Sequence, residues 1–151
     1  MPLKHGRSHH TCAALKNKKG AITHVIVAGG NPNSKGLYNS TEIFDVDAMA
    51  WHPGPDLPTY VVGGALVAGG THESSSFAYL IGGYHKDAES AEIYALSNDI
   101  QSWSMIGTMD RKRRNHVAVA LPPEFELQYG SIGLYACVWL CVCVYVGLSL
   151  S

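Results

Sequence analysis

Phe77–Met109, FAYLIGGYHKDAESAEIYALSNDIQSWSMIGTM, holds an apolar run closed by Gly82-Gly83, a polar stretch, then Glu92-Ile93-Tyr94 and Trp103. The same order stands earlier in the chain as Gly29-Gly30, Glu42-Ile43-Phe44 and Trp51. The offsets are 53 residues for the glycine pairs, 50 for the glutamates and 52 for the tryptophans. An ordered set recurring at this spacing reads as a repeat of one supersecondary unit, whose copies bury their faces against one another.

Outside the repeat signal, composition narrows the class. The 151 residues suffice for one ordinary domain, and 11 basic against 12 acidic residues give no field that favours nucleic acid. Sixteen glycines and short apolar or alternating runs bounded by Gly, Pro, Asn and Ser predict an all-β chain. Four cysteines are present, and only Cys12 precedes the last fifteen residues. No disulfide framework is therefore expected in the repeat region, which suits a reducing compartment. The opening MPLKHGRSHHTCAAL lacks the apolar core of a secretory leader, so a cytoplasmic location is expected and Asn39-Ser40-Thr41 is an idle sequon.

In chain order, strands are predicted at His9–Leu15, Ile22–Ala28 and Thr41–Val46, with a fourth opened by Trp51. Gly29-Gly30 ends the second of these where backbone freedom is needed. Pro53, Pro55 and Pro58 mark the crossing to the next unit. The second unit follows with Val61–Ala68, Phe77–Ile81, Ala91–Leu96 and Ser102–Ile106. A third opens at Arg114-Asn115-His116 with Val117–Leu121, then loses the pattern at Leu121-Pro122-Pro123. Arg7-Ser8-His9 shares the Arg-x-His start, 107 residues before. Counting back 22 residues from Gly82 finds Tyr60 where the middle unit should have its arginine.

Arg-x-His, an apolar strand with Gly-Gly, Glu-Ile-aromatic and Trp together resemble the kelch repeat, over about residues 7–121. The resemblance implies four-stranded antiparallel blades of a β-propeller. The units fall at about 7–58, 59–109 and a truncated 110–123, so the kelch-repeat region is 1–123 and holds 2–2.5 blades. Propellers close with about 4–8 blades, so the chain reads as part of a longer propeller, or one that self-associates to complete its blades. Gly29, Gly30, Glu42, Trp51, Gly82, Gly83, Glu92 and Trp103 are the structural residues of the repeat.

The family implies a non-catalytic protein-interaction module, similar to the propellers of ubiquitin-ligase substrate adaptors or of cytoskeletal kelch proteins. In adaptors the face around the central channel receives peptides through an arginine opening the first strand and residues just after Gly-Gly. The matching positions here are Arg7 and Arg114, then Asn31 and Tyr84. Arginine offers a fork for carboxylates and tyrosine a rigid anchor with a polar tip; the plainer reading is that both arginines tie neighbouring strands together. A rival class is a copper enzyme similar to galactose oxidase, which needs Tyr, His and a modified Cys from several blades. With Cys12 the lone cysteine of the repeat region, no cofactor is expected.

Residues 124–151 form an apolar tail, uncharged after Glu126. Ile132–Leu148 approaches the length of a membrane span. Three readings stay open: a membrane anchor within 127–151, a strand pair completing a blade, or a segment foreign to the ancestral fold. The last draws on Cys-Val-Cys-Val, which a GT repeat read in frame encodes. Other chemistry is weak. Strand alternation would put His9 and His10 on opposite faces, C-x3-C-x-C at Cys137, Cys141 and Cys143 lacks further ligands, Arg111–Arg114 reads as a solvated turn, and Ser74–Ser76 carries no nucleophile motif.

Overall fold

The computed structural model describes residues 2–32, 36–69, 77–85, 87–97, 99–120, 133–138 and 142–147, the last two as strand backbone. The described residues hold strands and no helix. Strands β1 (Thr11–Lys16), β2 (Ile22–Ala28), β3 (Thr41–Asp45) and β4 (Ala50–Pro53) form one antiparallel sheet in sequence order. A second sheet repeats that order with β5 (Ala65–Gly69), β6 (Phe77–His85), β7 (Ala88–Leu96) and β8 (Trp103–Thr108). A third contains β9 (Val117–Ala120), β10 (Gly133–Val138) and β11 (Val142–Gly147). Two of its strands thus lie in the apolar tail. No described helix is long and apolar enough to cross a membrane, which leaves strands out of account. Ser74–Ser76, Leu121-Pro122-Pro123 and Cys141 lie outside the described residues.

Local chemistry sets the turns. The Asn17 side chain accepts from the Lys19 and Ala21 amides, closing the β1–β2 hairpin at 2.9 and 3.1 Å. Asp45 does the same for Asp47 and Ala48 at 2.9 and 3.0 Å between β3 and β4. Short polar side chains that bond forward to the backbone are the usual makers of such turns.

Two strand starts differ from the sequence expectation where the backbone turns left-handed. His9 has φ +53°, so the first strand starts at Thr11, and His9 and His10 are both exposed rather than split across strand faces. Gly63 at φ +64° delays the fifth strand to Ala65 instead of Val61. Gly82-Gly83 does not close a strand. It is an irregularity inside β6, beyond which β6 and β7 run on as a hairpin with His85 opposite Ala88.

The sheets pack face to face, with β1 beside β5 and β5 beside β9. Leu15, Ile26, Ala28 and Ile43 of the first sheet meet Leu66, Ala78, Leu80, Tyr94, Leu96 and Trp103 of the second in one apolar cluster. On the opposite side of the second sheet, Val67, Ile81, Ile93 and Met109 take Ala118 and Ala120 of β9. Backbone bonds lock the sequence of sheets. The Gly63 amide donates to the His9 carbonyl at 3.0 Å, and the Asn115 amide to the Gly63 carbonyl at 2.7 Å. His9, Gly63 and Asn115 hold one repeat position, all left-handed, with Asn115 at φ +54°.

Left-handed backbone costs an L residue roughly 1–2 kcal/mol and glycine almost nothing. Gly63→Ala is therefore expected to lower the stability of the full chain by about 1–2 kcal/mol. His9→Gly at the same repeat position is expected to be neutral or stabilising by up to about 1 kcal/mol. Urea unfolding followed by tryptophan fluorescence compares the two.

Candidate functional site

The glycine pairs bring the units together at one end of the sheets. Gly29 and Gly30 leave β2 at φ +64° and +91°, and Gly82 and Gly83 adopt φ +59° and +102° inside β6. A side chain at Gly82 would meet the Arg113 carbonyl at 2.7 Å, so only glycine lets the loop ahead of β9 lie this close. The Gly30 amide donates to the Val61 carbonyl at 2.8 Å, and Gly83 repeats this with the Arg113 carbonyl at 2.9 Å. Each pair thus clasps the link that leads into the next inner strand.

Just beyond the glycines, Asn31 and Tyr84 occupy corresponding places. Asn31 exchanges backbone bonds with Ser8 at 2.9 and 3.0 Å, and Tyr84 with Val62 at 2.8 and 3.1 Å. The Ser8 hydroxyl also donates to the Asn31 side-chain oxygen at 2.5 Å. Tyr84 takes Arg114 instead: the guanidinium lies over the ring, 5.3 Å from its centroid. The same guanidinium pairs with Glu89 of the β6–β7 hairpin at 3.2 Å, and both side chains are about half exposed. So exposed an ion pair is worth little, and its arginine is available to another carboxylate. Two of the four predicted partner-facing residues, Tyr84 and Arg114, thus meet directly. Arg111–Arg114 is also more than a solvated turn, because Arg113 is half buried and Arg114 is engaged.

Arg7 stands differently. Its side chain is fully covered, and its guanidinium donates to the Gly29 and Ser40 carbonyls at 3.0 Å each and to Glu42 at 2.7 Å. Burial works against the Glu42 charge, but the Lys4 amide, the Arg7 guanidinium and the His5 amide hold its carboxyl below the ordinary range. This ion pair pins the N-terminal segment to β3. In the structure Arg7 is a tie between strands.

The repeat register also shifts by one or two residues. Nε of Arg7 donates to the His5 carbonyl and Nε of Arg113 to that of Arg111, each at 3.4 Å, so Arg113 and not Arg114 corresponds to Arg7. The middle unit has Val61 at this place rather than Tyr60. Glu42 pairs with Val27, two residues before Gly29, whereas Leu80, two before Gly82, faces Tyr94. The ladder counterpart of Glu42 is therefore Tyr94, not Glu92. A buried ion pair in the first sheet becomes Val61 and Tyr94, both in the apolar core, in the second.

Glu92 has partners of its own: the Tyr94 hydroxyl donates to it, and Nε2 of His85 lies 3.3 Å away. Burial and the neighbouring Glu92 push the Tyr94 phenol upward. His116 is buried with neither ring nitrogen bonded. Desolvation, helped by the Arg113 charge, holds its imidazole down at about 4. Among the described residues, no group of three or more His, Cys, Asp or Glu could hold a metal ion. Sequence reasoning missed Ser8, Glu89 and the His9–Gly63–Asn115 series; the last was detectable as three residues tolerant of positive φ spaced by 54 and 52.

No protein-family model matches the chain, and a search of the curated proteins finds no match.

Removing one member of a buried ion pair typically costs about 3–5 kcal/mol. Arg7→Val is expected to destabilise the chain by that order, and Arg7→Val/Glu42→Tyr, which copies the second sheet, to recover at least half of the loss in urea unfolding. The pH dependence has a definite sign. His116 binds its proton less readily folded, at about 4, than at its ordinary 6.5. Its contribution is complete above pH 6.5 and is lost as pH falls toward 4, at about 1.4 kcal/mol per unit. Unfolding midpoints between pH 7 and 4 should decline less steeply in His116→Phe than in the parent.

Proposed function

We propose that this chain is a kelch-type propeller portion that acts as a non-catalytic protein-interaction module, and that it engages its partner with the Gly-Gly end of the sheets. The observation that carries the reading is the exposed Arg114 guanidinium held 5.3 Å over Tyr84 and 3.2 Å from Glu89. A preset arginine on an aromatic ring is a ready receptor for a carboxylate, and the ring adds rigid apolar area at small entropic cost. Asn31 supplies a second polar position at the matching place of the first sheet. The kelch reading itself is supported by two sheets of identical strand order and by first strands that adjoin from sheet to sheet. The ligand class is an acidic peptide segment, whose carboxylate replaces Glu89 on Arg114.

Fluorescence anisotropy of the full chain with labelled Glu-rich and Lys-rich peptides tests this. The acidic peptide is expected to bind with an affinity that falls as salt rises. Arg114→Ala and Tyr84→Ala should each weaken it by about tenfold, on the order of 1.4 kcal/mol, while changing unfolding stability by less than about 0.5 kcal/mol. Equal binding of both peptides, or an unchanged affinity in Arg114→Ala, would overturn the reading.

A further inference from the structure

The first strands of the three sheets present the same faces in one register. At the first sheet junction, Ala13 packs into the cluster that holds Leu66, and the Thr11 hydroxyl receives the Leu66 amide at 2.8 Å. At the second, Val67 packs with Ala118 and Ala120. By the His9–Gly63–Asn115 correspondence, the side given forward is Thr11 and Ala13, then Ala65 and Val67, then Val117 and Val119. The side that receives is Cys12 and Ala14, then Leu66 and Ala68, then Ala118 and Ala120.

Among the described residues, one half of a further junction is exposed and the other only partly buried. Val117 and Val119 are 60% and 47% exposed, although Ala65 and Val67 at their places are buried. At the other extreme, Ala14 faces Val25, Val25 faces Phe44 and Phe44 faces Trp51, an apolar row across all four strands of the first sheet. These four are only partly buried. The same places in the second sheet are Ala68, Ala78, Leu96 and Trp103; the last three are 0%, 1% and 7% exposed, covered by the first sheet. Lys4, His5 and Arg7 bond Glu42 on this same face.

We propose that these two faces dock on each other between two copies of this chain, Val117 and Val119 of each against Cys12 and Ala14 of the other. The occupant is a second copy because the face it must present already sits on this chain, in the register that the two internal junctions use. The contact joins unlike surfaces, and such contacts build rings when the rotation closes. Two chains of three sheets bring six, four of them four-stranded, inside the range of about 4–8 over which stacked four-stranded sheets close a ring. Closure covers at once the partly buried apolar row and the exposed valines. The inference rests on the sheet packing and is independent of the peptide reading.

Light scattering on the full chain after size exclusion tests it, with Cys12→Glu and Val117→Glu at two exposed positions. The parent is expected at twice the chain mass and each variant at once that mass. An equimolar mixture of the two variants should regain pairs, because each retains the face that the other has lost. Arg114→Ala should pair like the parent, which separates this result from the fate of the peptide reading. Alkylation of Cys12, read by peptide mass, supplies a measurement that needs no folded variant: slow in the parent at high protein concentration, and faster on dilution. A parent that stays single at about 100 µM, a Cys12→Glu that still pairs, a mixture that stays single, or alkylation that ignores dilution would each overturn the proposal.

Discussion

The hydrogen bonds from Gly63 to His9 and from Asn115 to Gly63 set the spacing on which the other contacts depend. A β-sheet with one apolar face needs a second layer, and here every layer is another sheet of the same kind. The bond between corresponding residues fixes where each new sheet starts relative to the last. Left-handed backbone at all three positions turns the chain from the link into the inner strand at the same point each time. The Gly-Gly amides then clasp that link from the side, at Val61 and Arg113. Face packing follows from this frame, since Leu66 and Ala118 reach the neighbouring core only when their strands start in step.

The first two sheets solve one packing problem in opposite ways. At the place where the N-terminal segment meets β3, the first sheet buries Arg7 against Glu42. The arginine meets carbonyls as well as the carboxylate, so its desolvation is answered by several bonds. The second sheet has Val61 and Tyr94 there, inside the core it shares with the first. The difference follows from what covers each place. The residues before β1 lie over Glu42 of the first sheet, and a short segment is held better by directed polar bonds. A whole sheet lies over the second, so area burial does the work.

Much of this was legible in the sequence, at the level of units rather than residues. Gly29-Gly30 and Gly82-Gly83 with Trp51 and Trp103 gave strand content and unit length, because those residues have few alternatives for their conformation or volume. Register was harder. Glu-Ile-aromatic recurs at an offset of 50 while Trp recurs at 52, and the mismatch was the sign that Tyr94, not Glu92, stands opposite Leu80. Arg-x-His aligned Arg7 with Arg114 by identity, yet the backbone aligns it with Arg113. The resemblance assigned Tyr84 and Arg114 to one face, but not Glu89, which depends on β6 and β7 running past Gly83 as a hairpin.

A sheet repeated in this manner has two kinds of free surface, and they suit different tasks. The faces carry Val117, Val119 and the row from Ala14 to Trp51, apolar side chains that favour area burial. Such surfaces recognise what shares their own pleat and spacing. The strand ends carry Arg114, Tyr84, Glu89, Ser8 and Asn31, directional groups held on turns that glycine permits. Those positions can change from unit to unit without disturbing the core, as Ser8 with Asn31 and Val62 with Tyr84 already illustrate. Variation at the ends with constancy at the faces is what an assembly needs if it is to be built by self-similar packing and still present a partner-specific rim.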